Sequence, residues 1–200
     1  MNLDEIISIW NSINKIELFA AIFGIISIYF VIKEKVIAFP IGIISVAIYV
    51  YIFFDVKLYA DMFLQIMFII FQFYSWYKWL YGGENKSKEK ISKCSQKTNL
   101  VLIASTILTT FIFNFILQKY TDASIPLVDS LQTSMSLSAQ YMTAKKYIEN
   151  WFWWCVINII SIGMYVYKEL YFTSVLFFVY LILAILGYVS WKKKYVVPNF

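Results

Sequence analysis

The chain has 200 residues, of which 61% are hydrophobic, 20% aromatic and only 14% charged, with a formal net charge of +5. A mean hydropathy of +0.69 excludes a water-soluble globular domain, because so apolar a chain has too few polar side chains to cover its surface. There is no histidine, which removes the commonest metal ligand and the commonest general base. No metal, no cofactor and no enzymatic activity are therefore expected.

The chain opens with LDEIISIWNSI. Leu3, Ile6, Ile7, Trp10 and Ile13 fall on one helical face and Asp4, Glu5, Asn11 and Ser12 on the other. Residues 1–16 read as an amphipathic helix lying in the membrane interface, without the basic start of a cleavable signal peptide. Seven apolar stretches follow, near 17–33, 36–54, 58–80, 99–117, 126–144, 149–167 and 170–191, most of a length that crosses ~30 Å of hydrocarbon. The fold class is thus an all-α membrane protein of seven transmembrane helices.

One long polar connection, 82–98, divides the chain and reads as a solvated linker. It separates a three-helix unit over 17–81 from a single span at 99–117, a second three-helix unit over 118–194 and a tail at 195–200. Seven crossings put thirteen lysines on one side (Lys33, Lys35, Lys78, Lys86, Lys88, Lys90, Lys93, Lys97, Lys145, Lys146 and Lys192 to Lys194). Lys15, Lys57, Lys119 and Lys168 lie on the other side. The asymmetry predicts a cytoplasmic C-terminus and an external N-terminus, and accounts for the positive charge without nucleic acid. Cys94 and Cys155 read as free thiols.

The two three-helix units resemble each other. IISVAIYVY at 43–51 and IISIGMYVY at 159–167 share six of nine residues at a spacing of 116. In the next helix the spacing is 112, pairing Leu58-Tyr59 with Leu170-Tyr171, Trp76 with Tyr188 and Trp79 with Trp191. Two parallel repeats joined by one linker helix, a 3+1+3 plan, are expected. Such repeats enclose a transporter's substrate near the bilayer midplane.

Polar residues pick out the faces that would line that site. In the sixth span Trp151, Trp154, Asn158, Ser161 and Tyr165 form one stripe, and the 116-residue spacing sets Asn158 against Gly42. Trp153 points elsewhere, to lipid or to packing. The third span aligns Asp61, Gln65, Gln72 and Trp76, and the fifth Asp129, Thr133, Ser136 and Gln140. Polar stripes in apolar spans face the bundle interior by default. Neutral amides and hydroxyls beside flat indoles suit a planar heterocycle with hydrogen-bonding edges, and the indoles suit a cationic ring. Asp61 and Asp129 lie near helix ends, where a carboxylate caps an N-terminus or attracts a cation. No mid-membrane acid is available to carry a coupling proton and no phosphate-binding glycine loop exists, which favours passive transport. Pro40 and Gly42 permit a kink in the second span.

Three segments carry a family resemblance. IENWFWWCVINIISIGMYVYKELY resembles the sixth-helix signature of the PnuC vitamin transporters, a W-x-x-W-x-x-x-N/D pattern. LYADMFLQIMFIIFQFYSWYKW and VIAFPIGIISVAIYVYIFF are similar to that family's third and second helices. The resemblance covers about residues 17–194. It implies a 3+1+3 fold related to the SWEET sugar transporters, a homotrimer in the bacterial inner membrane, and facilitated diffusion of nicotinamide riboside drawn in by cytoplasmic phosphorylation. It places substrate at Trp154 and Asn158, with Trp151, Gln140, Gln65 and Trp76. The stripes add Gln72, Ser136 and Ser161. Thiamine or another vitamin on the same scaffold is the alternative substrate. A vitamin-binding subunit served by a separate ATPase, and a structural or sensory membrane protein, are the alternative functions.

Overall fold

The computed structural model describes residues 15–55, 59–169 and 171–196; the amphipathic segment 1–14 and the last four residues lie outside them. Seven α-helices follow in order: α1 (Lys15–Ile32), α2 (Ala38–Asp55), α3 (Tyr59–Tyr81), α4 (Gln96–Tyr120), α5 (Pro126–Ala144), α6 (Asn150–Tyr167) and α7 (Tyr171–Val196). A short 3₁₀ turn covers Glu84–Lys86, and the described residues form no strand. All seven expected spans are present as helices. By length and composition α1, α2, α4 and α7 suffice to cross a membrane. The other three, α3, α5 and α6, carry the polar stripes, and those polar residues lower their hydropathy.

The chain divides into two compact units, 1–72 and 73–200, with the division inside α3. In the first unit α1 and α2 pack through small residues, which let helix backbones approach closely in an apolar medium. Ser27 Oγ donates to the Ala38 carbonyl at 2.8 Å and Ser45 Oγ to the Ala20 carbonyl at 2.7 Å. Gly42 lies at that interface, where a Cβ would stand 2.3 Å from Gln72 Oε1 and 2.7 Å from Ser27 Oγ. Pro40 falls in the first turn of α2, where its missing N–H has no helical partner to lose, and α2 runs on without a break.

The second unit packs α4 on α5, α5 on α6 and α6 on α7. Ser95 caps α4 by accepting from Thr98 N at 3.1 Å, and Thr106 and Ser138 hydrogen-bond across α4 and α5 at 2.8 Å. Ala139, Met142, Trp153 and Ile157 form the core between α5 and α6, so Trp153 is a packing residue. Its other aromatic centre is a set of three indoles. Trp191 lies 6.0 Å from Trp79 and takes Trp151 edge-on at 5.3 Å.

Helix bounds stand at a spacing of 112, where the sequence match of α2 to α6 has 116. Ala38 and Asn150 begin α2 and α6, Asp55 and Tyr167 end them, and Tyr59 and Tyr171 begin α3 and α7. Each pair stands 112 apart, as do the left-handed residues Glu34 and Lys146. So do the buried sets Gln72, Ser75, Trp79 and Ala184, Gly187, Trp191. The 116-residue sequence match of α2 to α6 is offset from these bounds by four residues, about one helical turn. An apolar helix with Ile and Tyr recurring each turn matches itself almost as well one turn along. At a spacing of 112, Asn158 stands with Val46 and Gly42 with Trp154.

The polar linker also differs from a free tether. Ser92 N donates to the Lys146 carbonyl at 3.1 Å and Ile148 N returns to the Ser92 carbonyl at 3.0 Å. This single bridge stitches the linker to the α5–α6 loop, and Cys94 N donates to Glu149 Oε2 at 2.9 Å beside it. Burial, and then the Glu149 carboxylate, push the Cys94 thiol above its ordinary value. Since the thiolate is the reactive form, alkylation of Cys94 should be slow at about pH 7.5 and rise with pH. In a Cys155→Ser background, Glu149→Gln keeps a carbonyl for the Cys94 N–H but removes the charge, and should speed the reaction. An unchanged rate would show that the carboxylate does not act on the thiol.

Candidate functional site

The α5–α6 pair holds the centre of the candidate site. Asn158 lies midway along α6 and is only 4% exposed. Among the described residues nothing hydrogen-bonds its side-chain amide, although Ser161, one turn on, donates to the Ile157 carbonyl at 2.8 Å. An amide at this depth is costly to leave without a hydrogen bond. Among the described residues no helix–helix bond accounts for it.

One turn before Asn158, Trp154 is half-buried and packs against the Ala139, Met142, Ile157 core. Its indole N–H donates to Thr143 Oγ1 at 3.3 Å, fixing the edge of the ring while part of the surface stays open. Gln140 lies on α5, one turn before Thr143, also half-buried and without a hydrogen bond among the described residues. The packed α5–α6 pair thus carries Gln140, Trp154 and Asn158: two amides without a hydrogen bond among the described residues and one anchored aromatic surface.

Other expected site residues have different surroundings. Ser136 donates to the Gln132 carbonyl at 2.8 Å, so it and Ser161 are satisfied by their own helices. Trp151 turns its ring into α7, with Trp191 on one side and Gly187 flush against it, and its buried indole N–H has no partner among the described residues. Trp151 and Trp154 sit three residues apart, about 60° around the helix, which is enough to send one to α7 and the other to α5. Trp76 is half-buried and stacks on Phe73 at 6.4 Å. Gln65 and Gln72 belong to the first unit, neither with a hydrogen bond among the described residues; Gln72 is buried against Gly42. The Asp61 side chain lies outside the described set.

Asp129 is not a cap. Residue Ile125 stands at the N-cap of α5 without a side-chain bond, and Asp129 pairs with Lys168 at the far end of α6 at 2.9 Å. Both are about one-quarter exposed, and a pair so placed contributes little to stability.

Two roles were missed in the sequence. Thr143 extends the stripe Asp129, Thr133, Ser136, Gln140 by one more step of three, so the spacing held the signal. The Glu149-Asn150-Trp151 run makes structural contacts that its spacing does not announce. Glu149 holds the linker, Asn150 donates to the Tyr147 carbonyl, and Trp151 locks onto α7.

Several known proteins are similar to this chain. The family model described as nicotinamide mononucleotide transporter matches residues 14–193. The nicotinamide riboside transporter PnuC of Neisseria mucosa is 26% identical over 96% of this chain and 78% of its own. That of Escherichia coli K12 is 26% identical over 88% and 84%. The crystal structure of the vitamin B3 transporter PnuC superposes with a TM-score of 0.73 and 25% identity, covering 94% of this chain and 85% of that one. With its apolar helices and bacterial relatives, the chain is a multi-pass inner-membrane protein and not an enzyme. It belongs to the nicotinamide mononucleotide transporter family, whose members here include the PnuC proteins.

Proposed function

We propose that this protein is a passive transporter of nicotinamide riboside, and that Trp154, Asn158 and Gln140 hold the substrate. The buried Asn158 side chain, without a hydrogen bond among the described residues and one turn from the anchored Trp154 indole, carries this reading. Nicotinamide offers a flat cationic ring for an indole and a carboxamide for a free amide, so each group meets its complement. Gln65, Gln72, Trp76, Ser136, Ser161 and Trp151 are the further candidates for contact with substrate.

The family description names the mononucleotide and the relatives name the riboside. The candidate residues favour the riboside, because they are all neutral and a phosphate desolvated among them would lack a counter-charge. No acid lies in the described middle of α5 or α6 to carry a coupling proton. Uptake then runs down the riboside gradient, and phosphorylation in the cytoplasm keeps that gradient steep. Seven crossings, two parallel repeats at a spacing of 112 around α4, an external N-terminus, a cytoplasmic C-terminus and a homotrimer complete the proposal.

Counterflow in liposomes containing neither ATP nor a proton gradient tests it. Purified protein should exchange labelled riboside, and Trp154→Ala should lower the rate by about tenfold or more through loss of the aromatic surface. Thiamine-selective exchange would keep the mechanism and overturn the substrate. Exchange that requires ATP would overturn the passive mechanism.

A further inference from the structure

We infer that Thr143 is a positioning residue for substrate, acting by holding the Trp154 indole in one orientation; the inference rests on Trp154 belonging to the site. Thr143 is 7% exposed in the last turn of α5, where helix carbonyls lack intrahelical partners. Its hydroxyl proton goes to the Ala139 carbonyl at 2.9 Å, with Asn150 Oδ1 a longer alternative at 3.3 Å. The oxygen lone pairs then face the Trp154 N–H. The Thr143 carbonyl meanwhile accepts the Trp79 indole at 3.0 Å and the Lys146 amide at 3.1 Å. One residue therefore ties down two indoles, one through its backbone and one through its side chain.

The carbonyl bond survives any substitution at 143, so the hydroxyl's role can be separated from packing. Without it Trp154 keeps its apolar contacts but loses the bond that fixes its edge. A half-buried ring free to choose among rotamers must be ordered again each time a ligand stacks on it. Thr and Val have nearly the same shape, so Thr143→Val removes the bond and little else. Thr143→Ser keeps the hydroxyl and loses a methyl group.

Equilibrium binding of labelled nicotinamide riboside to purified protein tests this, with folding checked by gel filtration and thermal melting. Thr143→Val should weaken binding by about fivefold, the worth of one net hydrogen bond, and Thr143→Ser should bind like wild type. In a Trp154→Phe background, whose ring has no N–H, Thr143→Val should have no further effect. If Thr143→Val binds like wild type, or weakens binding equally in the Phe background, the hydroxyl does not act through the indole and the inference falls. If Trp154→Ala itself leaves binding unchanged, it is the site assignment that fails.

Discussion

Asn158→Ala is expected to lower nicotinamide riboside affinity by about tenfold or more while leaving the melting temperature within a few degrees of wild type. The two halves of this expectation follow from the same observation. A buried amide that bonds a neighbouring helix would lose stability on truncation. The Asn158 amide has no such partner among the described residues, so truncation forfeits no hydrogen bond among them. On the proposed reading, what truncation removes is a donor and an acceptor toward the substrate, and a bond made at a buried position counts for more than one at the surface. Isothermal titration with riboside, alongside thermal melting in the same detergent, reads both quantities. A large loss of stability with affinity intact would return Asn158 to the role of helix glue.

Gly187→Val should have the largest effect on folding. A Cβ at Gly187 would lie 2.6 Å from three atoms of the Trp151 ring system. Those atoms belong to a rigid indole, itself wedged edge-on against Trp191, which in turn neighbours Trp79. The strain has no flexible side-chain end to absorb it, so overpacking should cost several kcal/mol, at or above the usual ~1–3 kcal/mol for a core of this kind. Gly163→Val is the control, since nothing lies within 4 Å of a Cβ there. The yield of monodisperse protein and its melting temperature should fall sharply for the first variant and hold for the second. Equal behaviour of the two would mean that the α6–α7 seam yields where its indoles are packed. Gly42 is a softer case, because the atoms nearest its missing Cβ are the ends of the Gln72 and Ser27 side chains.

The helices were legible in the sequence because apolar stretches of this length permit little else, and each expected span lies within a few residues of a helix. Asn158 and Trp154 were legible too, as polar and aromatic residues at helical spacing in an apolar background. Three things were hidden. The 112 spacing of the helix bounds was hidden because Ile and Tyr recur with the helix itself and match one turn along, whereas the helix bounds and the left-handed residues Glu34 and Lys146 carry no such ambiguity. Trp151 and Trp154 share a stripe on paper, but a stripe 60° wide has two flanks that meet different neighbours. The Asp129–Lys168 pair joins residues 39 apart in sequence, and that distance closes only when α5 and α6 pack.

The bridge at Ser92 changes what the segment between α3 and α4 means for anyone cutting or extending the gene. From its composition, any point between Gly82 and Ser95 looks equally suitable for a tag, a probe or a break. The segment is in fact of two kinds. Glu84 and Lys86 to Lys88 are exposed, so added residues there project into solvent. From Glu89 onward the chain is built into its surroundings: a carboxylate oxygen of Glu89 is buried, Ser92 is paired on both backbone groups, and the Cys94 amide is bound. A break in that stretch would not separate two domains. It would remove an edge from the second unit at the loop that precedes α6, the helix carrying Trp154 and Asn158.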